Sequence, residues 1–254
     1  MITAGIDCGA KNTKTVILKD GKIIGKGKVL TGFDQAKAIK ESLEAAYMSA
    51  GISEKDIERF GGTGSGKDSI KGAVIVNDIK AMAKAAHFFF PGARTAADVG
   101  AEEARTAKLD EKGNPIDFVV NEKCAAGAGS FIEAMSRALE TPLEEMGPLA
   151  LTSSNEIPMN AQCVIFAESE VVGLIHARTE KKDISKAIHD AIAGRIVSMI
   201  RRIGVNEDVV IMGGMAYNPA FISGVKAQLN IEKILIPDDP EFGAATGAAA
   251  AVSG

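Results

Sequence analysis

The sequence predicts an α/β protein in which a similar unit occurs twice. Short apolar runs alternate with helical patterns along the chain, which is typical of sheets covered by helices. Two of the apolar runs end in an Asp-x-Gly pattern, at Asp7 and at Asp98. No Ser- or Pro-rich linker separates the two regions. We therefore expect two halves, residues 1–94 and 95–254, that share a cleft.

The first half is predicted to open with a strand that leads into a β-hairpin. Asp20-Gly21 is a strong signal for a tight turn between two strands. Apolar residues then recur at helical spacing and stop before Gly51. The predicted strands are residues 2–7, 14–19, 23–29 and a stretch near residue 60, and the predicted helices are residues 36–50 and about 75–89.

The second half is predicted to begin in the same way and to be richer in helices. Its predicted strands are residues 95–99, 116–120, 209–212 and 234–236. Its predicted helices are residues 130–139, 168–177, 185–204, 220–229 and 243–252. The last of these is rich in Gly and Ala, so we expect it to pack closely across the junction between the halves.

Composition excludes several functional classes. The chain has 254 residues and a net charge of −4 without a dense Lys/Arg stretch, which argues against nucleic-acid binding. No apolar run approaches the roughly 20 residues that span a bilayer, so no membrane association is expected. Three cysteines without an export signal favour a reducing cytoplasm over a disulfide framework.

The two Asp-x-Gly patterns predict a site for a magnesium polyphosphate. A carboxylate at a strand end can hold a hydrated magnesium ion. The following glycine lets backbone N–H groups approach phosphate oxygens. Asp7 with Gly9 and Asp98 with Gly100 would then grip a polyphosphate from both sides of the cleft. We expect the two aspartates to organise magnesium and the attacking water.

A third glycine-containing segment favours a nucleoside site. Gly213 and Gly214 follow a buried strand and would let adenosine lie flat against the backbone, although an ordinary strand–helix turn has the same pattern. Together, the three segments resemble the phosphate-1, phosphate-2 and adenosine segments of the actin–hexokinase–Hsp70 superfamily of ATPases and sugar kinases. The resemblance implies duplicated actin/hexokinase-like (ribonuclease H-like) halves with an ATP cleft between them.

The segment from Gly61 to Lys67 imitates a P-loop but departs from it at a decisive position. Asp68 follows the lysine, where a P-loop carries the Ser or Thr that binds magnesium. A P-loop also usually follows the first strand. We interpret this segment as a Gly-rich turn near the cleft, with direct phosphate contact as the alternative.

Two cysteines, Cys124 and Cys163, each precede a predicted helix. A 4Fe–4S cluster needs four thiolates, so two would suffice only if a second subunit brought two more. Spacing alone leaves this possibility open beside two buried structural thiols. Cys8, at the end of a buried strand, is expected to be a packed thiol.

The flanking sequences decide in favour of the cluster. Residues 124–129 and 163–170 closely resemble the activators of 2-hydroxyacyl-CoA dehydratases and the ATPase subunits of benzoyl-CoA reductase, and the resemblance covers nearly the whole chain. It implies that two identical or homologous subunits share one 4Fe–4S cluster, with Cys124 and Cys163 as ligands. Gly127 and Gly129 would bring N–H groups near the cluster, and a helix from about Ser130 would point its positive end towards it.

The resemblance also assigns nucleotide contacts and exposes one departure. It implies that Thr13 and Lys14 contact phosphate and that Asn218 belongs to the adenosine segment. Many family members read Asp-x-Gly-Gly-Gln-Asp at phosphate 2, where this chain has Glu102 and Glu103 at the last two positions. Glu103 keeps a carboxylate and is the candidate base for water. Glu102 places an extra acid where the γ-phosphate is expected, and such repulsion would slow hydrolysis.

The predicted function is an ATP-dependent electron-transfer subunit that drives low-potential electrons to an acyl-CoA reductase of the benzoyl-CoA type. The divergence at Glu102 favours this heteromeric system, with a homodimeric activator of a 2-hydroxyacyl-CoA dehydratase as the alternative. A ferredoxin or flavodoxin would reduce the cluster. A cluster-free small-molecule kinase of the same fold is a further alternative. The sequence identifies neither the acyl-CoA nor the electron donor.

Overall fold

The computed structural model describes residues 1–121, 127–159 and 164–254, without the side chains of Val164 and Ile165. These residues form two mixed sheets. The first sheet has the order β3-β2-β1-β4-β5 and the second has the order β8-β7-β6-β9. The strands are β1 Ile2–Cys8, β2 Asn12–Lys19, β3 Lys22–Leu30, β4 Arg59–Thr63, β5 Val74–Ile75, β6 Thr95–Val99, β7 Ala104–Leu109, β8 Pro115–Val120 and β9 Val209–Met212.

Eight α-helices lie in the part of the chain that the structure describes. None of them is long and apolar enough to cross a membrane. They are α1 Gln35–Ala50, α2 Asp78–Phe89, α3 Ala128–Ala138, α4 Leu143–Ala150, α5 Val164–His176, α6 Lys181–Ile203, α7 Pro219–Leu229 and α8 Gly243–Ala251. Short 3₁₀ helices cover Glu54–Asp56, Lys67–Ser69, Gly214–Tyr217 and Pro240–Phe242.

The two sheets repeat the same pairing, and this confirms the predicted duplicated α/β fold. β1 is antiparallel to β2 and parallel to β4, as β6 is antiparallel to β7 and parallel to β9. β5 runs parallel to β4. In the second half the equivalent of β5 is a single bridge between Val210 and Leu235. The strand predicted at residues 234–236 is therefore wrong as a strand, because only one residue pairs.

Three strands or α-helices were not predicted, β5, β7 and α4, and the last two have a local cause. β7 carries Arg105 and Lys108 between small residues, which hides its half-buried pattern. α4 contains Pro148 within eight residues, and proline ordinarily argues against a helix. α2 begins at Asp78 and not near residue 75, because the Asn77 side chain accepts the Ile79 N–H and caps the helix.

The halves are joined by two helices that pack across the junction. α8 lies on β1, β2 and β4 of the first sheet and against α2. α2 in turn packs on the second sheet, where Met82 shares a core with Ala96 and Val210. A Cβ atom on Gly5 would lie 2.0 Å from Ala245 O, and one on Gly247 would lie 1.7 Å from Ala81 O. The small residues therefore allow backbone to approach backbone at this junction.

Candidate nucleotide site

A cavity of about 500 Å³ opens between the two halves at the ends of β1 and β6. Its walls contain residues from both Asp-x-Gly segments and from the segment after β9. The predicted residues that line it are Asp7, Gly9, Lys14, Asp98, Gly100, Glu103, Gly129, Gly213, Gly214 and Asn218. The fold therefore brings together ten positions that are spread over the whole length of the chain.

The two Asp-x-Gly segments form equivalent tight turns. The Gly9 N–H donates to Asn12 O at 3.2 Å, and the Gly100 N–H donates to Glu103 O at 2.9 Å. Each turn joins two antiparallel strands, β1 to β2 and β6 to β7. Asp7 and Asp98 precede their glycines by two residues and are both nearly buried. The turns therefore face the same cavity with matching backbone geometry.

Each aspartate has a cationic partner at the same register position of the next strand. Asp7 is opposite Lys14 on β2, and Asp98 is opposite Arg105 on β7. Lys14 Nζ lies 3.1 Å from Asp7 Oδ2, and Arg105 Nη1 lies 3.8 Å from Asp98 Oδ2. Arg105 was not predicted as a site residue. The sequence contains a pattern that could have identified it, because a cation follows each aspartate by seven positions.

Arg105 binds a larger acidic group than Lys14 does. It forms an ion pair with Glu103 and lies 3.9 Å from Asp78 Oδ1. Burial alone would lower the pKa of Arg105, but Asp98, Asp78 and Glu103 raise it. Burial likewise opposes the ionised form of Asp78, but Arg105, the Gly64 N–H and Lys67 hold its pKa below the usual value. Both groups are therefore charged at neutral pH.

Asp98 differs from Asp78 because burial dominates. Its pKa is raised, chiefly by removal from water, against the opposing effects of Arg105 and Lys14. Lys14 shows the reverse balance, since burial lowers its pKa but Asp7 raises it further. A divalent cation beside Asp98 would favour the ionised form of this carboxylate and lower its pKa.

Two glycines close the cavity floor at equivalent places after β4 and β9. Gly64 has φ +93° and Gly213 has φ +86°. A Cβ atom on Gly64 would lie 2.5 Å from Asp7 Oδ1, and one on Gly213 would lie 2.6 Å from Asp98 Oδ1. The P-loop-like segment is thus the first-half counterpart of the predicted adenosine segment. Lys67 does not line the cavity and instead lies 3.2 Å from Asp78 Oδ2.

Thr13 is not brought to the cavity. Its side chain is fully buried, 2.9 Å from the Thr31 hydroxyl and 3.7 Å from Cys8 Sγ. Neighbouring residues on a strand point to opposite faces. Because Lys14 faces the cavity, Thr13 must face the core, and Asn12 lines the cavity in its place. The Thr13 side chain therefore faces away from the cavity, and the contact of Thr13 and Lys14 with phosphate stays a prediction.

The predicted adenosine segment forms one wall. Gly214 leaves open space where a Cβ atom would lie, and Tyr217 contributes an exposed ring nearby. The Asn218 side-chain oxygen caps α7 by accepting the Ala220 and Phe221 N–H groups, each at 3.1 Å. Its amide nitrogen lies 2.9 Å from His189 Nε2. Asn218 therefore shapes the wall as a helix cap.

His189 supports that cap from the core. Its Nδ1 lies 2.7 Å from Ser185 O, which can only accept, so Nδ1 carries the proton and Nε2 accepts from Asn218. Burial lowers the pKa of His189. The ring is therefore neutral at pH 7, and it fixes the orientation of the Asn218 amide.

The second turn is attached directly to the start of α3. The Gly129 N–H donates to Gly100 O at 3.1 Å, and the Ser130 N–H donates to Ala101 O at 3.0 Å. A Cβ atom on Gly127 would lie 1.9 Å from Ala101 O. Gly127 and Gly129 are thus required by close packing on the turn. Any movement of this turn would be transmitted to the beginning of α3.

The predicted cluster ligands, Cys124 and Cys163, lie outside the described residues. α3 begins four residues after Cys124, α5 begins immediately after Cys163, and the two helices pack against each other. Helix N-termini favour anions, so these described flanks fit an anionic cluster. Cys8 is a buried free thiol whose pKa is raised, chiefly by burial.

The donor set of the cleft also fits magnesium. Within the described residues, no group of three or more His, Cys, Asp or Glu side chains is arranged to hold a metal by itself. Magnesium in nucleotide sites usually takes one or two carboxylates, with phosphates and water supplying the other ligands. Asp7 and Asp98 provide that number of carboxylates in one cavity.

Comparison with known proteins identifies the family. The BadF/BadG/BcrA/BcrD ATPase family matches residues 4–251, so the chain belongs to this family. A glucokinase of the ROK family from Streptomyces griseus, in complex with glucose and AMPPNP, shares the fold at 14% identity, with a TM-score of 0.62 over 98% of each chain. The predictions of family and of an actin–hexokinase type of fold are confirmed.

Several relatives cover almost the whole chain. The activator of lactoyl-CoA dehydratase from Anaerotignum propionicum is 36% identical over 98% of this chain and 96% of its own. The 2-hydroxyisocaproyl-CoA dehydratase activator from Clostridioides difficile is 34% identical over 98% and 94%. A solved structure of the latter type, from Clostridium difficile with bound ADPNP, matches with 34% identity and a TM-score of 0.90, over 99% of this chain and 94% of that chain.

A relative from the benzoyl-CoA reductase system is more distant. This reductase subunit, from Thauera aromatica, is 27% identical over 96% of this chain and 90% of its own. The comparisons therefore support the alternative, an activator of a 2-hydroxyacyl-CoA dehydratase, better than a subunit of the benzoyl-CoA reductase type, which the divergence at Glu102 had favoured.

Proposed function

We propose that this chain is the ATP-dependent activator of a 2-hydroxyacyl-CoA dehydratase, and that it works as a dimer around one shared 4Fe–4S cluster. The full-length similarity to activators of two such dehydratases supports this choice of partner. Two cysteines per chain match half of the ligand set that one cluster requires.

One structural observation carries the proposal: the phosphate turn at Gly100 and the start of α3 are hydrogen-bonded to each other. The same α3 follows the segment that contains Cys124. A change of nucleotide at the turn would therefore act directly on the first residues of α3. ATP hydrolysis and electron transfer would be coupled at this contact.

The residues of the cleft have separate roles in hydrolysis. Asp7 and Asp98 would hold magnesium, which neutralises phosphate charge when it is bound. Lys14 and Arg105 form ion pairs with the two aspartates and hold their carboxylates in place. Glu103 is the proposed base for water, and its ion pair with Arg105 sets the direction of its carboxylate. Gly213 and Gly214 would seat adenosine.

At the cluster, Cys124 and Cys163 from each subunit would supply the four thiolates. The bound cluster would provide one-electron chemistry at low potential. A ferredoxin or flavodoxin is the proposed donor, and the acyl-CoA dehydratase component is the acceptor. The cytoplasmic location predicted from the cysteines stays a prediction.

The first test is assembly without oxygen. The purified protein should be brown and dimeric, with about four iron atoms per two chains. Cys124→Ala or Cys163→Ala should remove the colour, whereas Cys8→Ser should retain it because that thiol is buried in the first half. Full iron content in a monomeric Cys163→Ala protein would exclude a shared cluster.

A second test separates the candidate partners. With ATP and a low-potential reductant, the protein should start turnover of a 2-hydroxyacyl-CoA dehydratase component and should not support reduction of benzoyl-CoA. The opposite result would restore the benzoyl-CoA type. Colourless protein that phosphorylates a small molecule would point to a kinase.

A further inference from the structure

An ion pair crosses the cleft from the first phosphate turn to α3. Lys11, in the turn between β1 and β2, is paired with Glu133 on α3. The two residues are 122 positions apart, and both side chains line the cavity. α3 is therefore attached to both phosphate turns: by backbone hydrogen bonds to the second turn, and by this pair to the first.

Lys11 is the most accessible of the three cationic side chains that line the cavity among the described residues. Its side chain is 46% exposed, whereas those of Lys14 and Arg105 are each 14% exposed. Lys14 is held by Asp7, and Arg105 by three carboxylates. A polyphosphate that enters the cleft would therefore meet Lys11 with the least rearrangement.

We propose that Lys11 is a phosphate ligand of the bound nucleotide, and that Glu133 occupies it when the cleft is empty. A surface lysine–carboxylate pair is weak, whereas pairing with a polyphosphate brings several charge-assisted hydrogen bonds. Nucleotide binding would transfer the Lys11 ammonium from Glu133 to phosphate. This inference rests on the proposed nucleotide function of the cleft.

The exchange would release α3 from the first phosphate turn. Of its links to the two turns, α3 would then keep those to the second, through Gly129 and Ser130, together with its packing on α4, α5 and α6. α3 is also the first helix after Cys124 along the chain. Lys11 is thus a positioning residue for electron transfer as well as a ligand.

The experiment measures ADPNP affinity by calorimetry and hydrogen exchange of α3 amides, with and without ADPNP and magnesium. In the parent protein, ADPNP should increase α3 exchange. Glu133→Gln should show fast exchange without nucleotide and bind ADPNP about twofold to fivefold more tightly, because no carboxylate competes for Lys11. Lys11→Gln should also exchange fast but bind about tenfold more weakly.

A charge swap tests whether the Lys11–Glu133 ion pair itself, and not the charge of either residue alone, controls α3 exchange. The double variant K11E/E133K should restore slow α3 exchange without nucleotide, and ADPNP should no longer accelerate it. Lys37→Gln is the matched control, because Lys37 pairs with Glu41 at 3.7 Å on α1, outside the cavity lining. Its affinity and α3 exchange should equal those of the parent.

The outcomes separate the role of Lys11 from the nucleotide function of the cleft. If the parent binds ADPNP but Glu133→Gln changes neither affinity nor exchange, the role of Lys11 is refuted and the nucleotide function stands. If the parent does not bind ADPNP at all, both are refuted. A swapped variant that still responds to ADPNP like the parent would also overturn the exchange.

Discussion

The two phosphate turns have the same backbone and opposite side-chain charge. Gly9 and Gly100 begin equivalent turns, but the third position is Lys11 in one and Glu102 in the other. The fourth position is Asn12 in the first turn and Glu103 in the second. The duplicated fold thus repeats the backbone geometry of the turn, while a cationic side chain at the third position of one turn and an acidic one in the other would attract and repel an anion, respectively.

The cations paired with the two aspartates, Lys14 and Arg105, also differ in the number of carboxylates they contact. Lys14 binds one carboxylate, whereas Arg105 contacts three. A planar guanidinium with several donors suits a site where carboxylates converge from different elements. More carboxylates therefore converge on Arg105 than on Lys14, and the stability of the protein should depend more strongly on Arg105.

The largest expected effect is on stability. Arg105→Leu leaves the buried Asp98 without its paired cation and Asp78 with Lys67 alone, and breaking such a buried pair typically costs about 3–5 kcal/mol. Lys14→Leu leaves only Asp7 and should cost about 2 kcal/mol. Urea unfolding of both variants beside the parent measures the difference. Equal costs would show that the two halves contain equivalent charge networks.

The next effect concerns hydrolysis. Asp7→Asn and Asp98→Asn should each lower magnesium-dependent ATP turnover at least about a hundredfold, because each removes a ligand charge from the site of developing phosphate charge. Lys67→Ala should lower it far less, since Lys67 does not line the cavity. Nucleotide binding lost in Lys67→Ala but kept in Asp98→Asn would place the active cleft elsewhere.

Asp98→Asn should also be more heat-stable than the parent at neutral pH. Burial raises the pKa of Asp98. A group with a raised pKa contributes stability below its unfolded pKa and loses it as the pH rises through the folded value. The gain in melting temperature should therefore shrink as the pH falls towards about 4, the ordinary pKa of aspartate. A gain that does not depend on pH would exclude this cause.

The equivalent glycines after β4 and β9 offer a further comparison of the two halves. Gly64→Ala and Gly213→Ala force a side chain into left-handed backbone and against an aspartate, so each should cost about 2 kcal/mol and lower activity. Gly214→Ala is the matched control, because its Cβ atom would meet no atom within 4 Å. Thermal unfolding should rank the control with the parent. Destabilisation by only one of the paired variants would show that the repeat is not exact at this point.

The smallest effect tests the acidic turn. Glu102 lines the cavity, and Glu102→Gln removes its charge without changing its size. Turnover should rise up to tenfold, about 1.4 kcal/mol of barrier, or the magnesium requirement should fall. Glu144→Gln alters another acid of the cavity lining and should have a weaker effect. Identical steady-state curves for the parent and Glu102→Gln would remove the repulsion argument.

The sequence by itself determined the repeated α/β architecture, the two aspartate turns and the family. These features depend on local signals: a buried run that ends in Asp-x-Gly, a glycine pair after a strand, and two cysteine-containing segments. Residues 122–126 and 160–163 lie outside the described part, so the cluster remains a prediction drawn from those local sequences and the family.

Only the tertiary structure decided which side chains share the cleft. The register of β7 places Arg105 beside Asp98, and strand alternation turns Thr13 into the core. Lys11 and Glu133 meet although they are 122 positions apart. Such contacts follow from the way the sheets and α3 pack on each other, and a pattern read along the chain has no information about that packing. The chain defines the turns, and the fold determines what each turn faces.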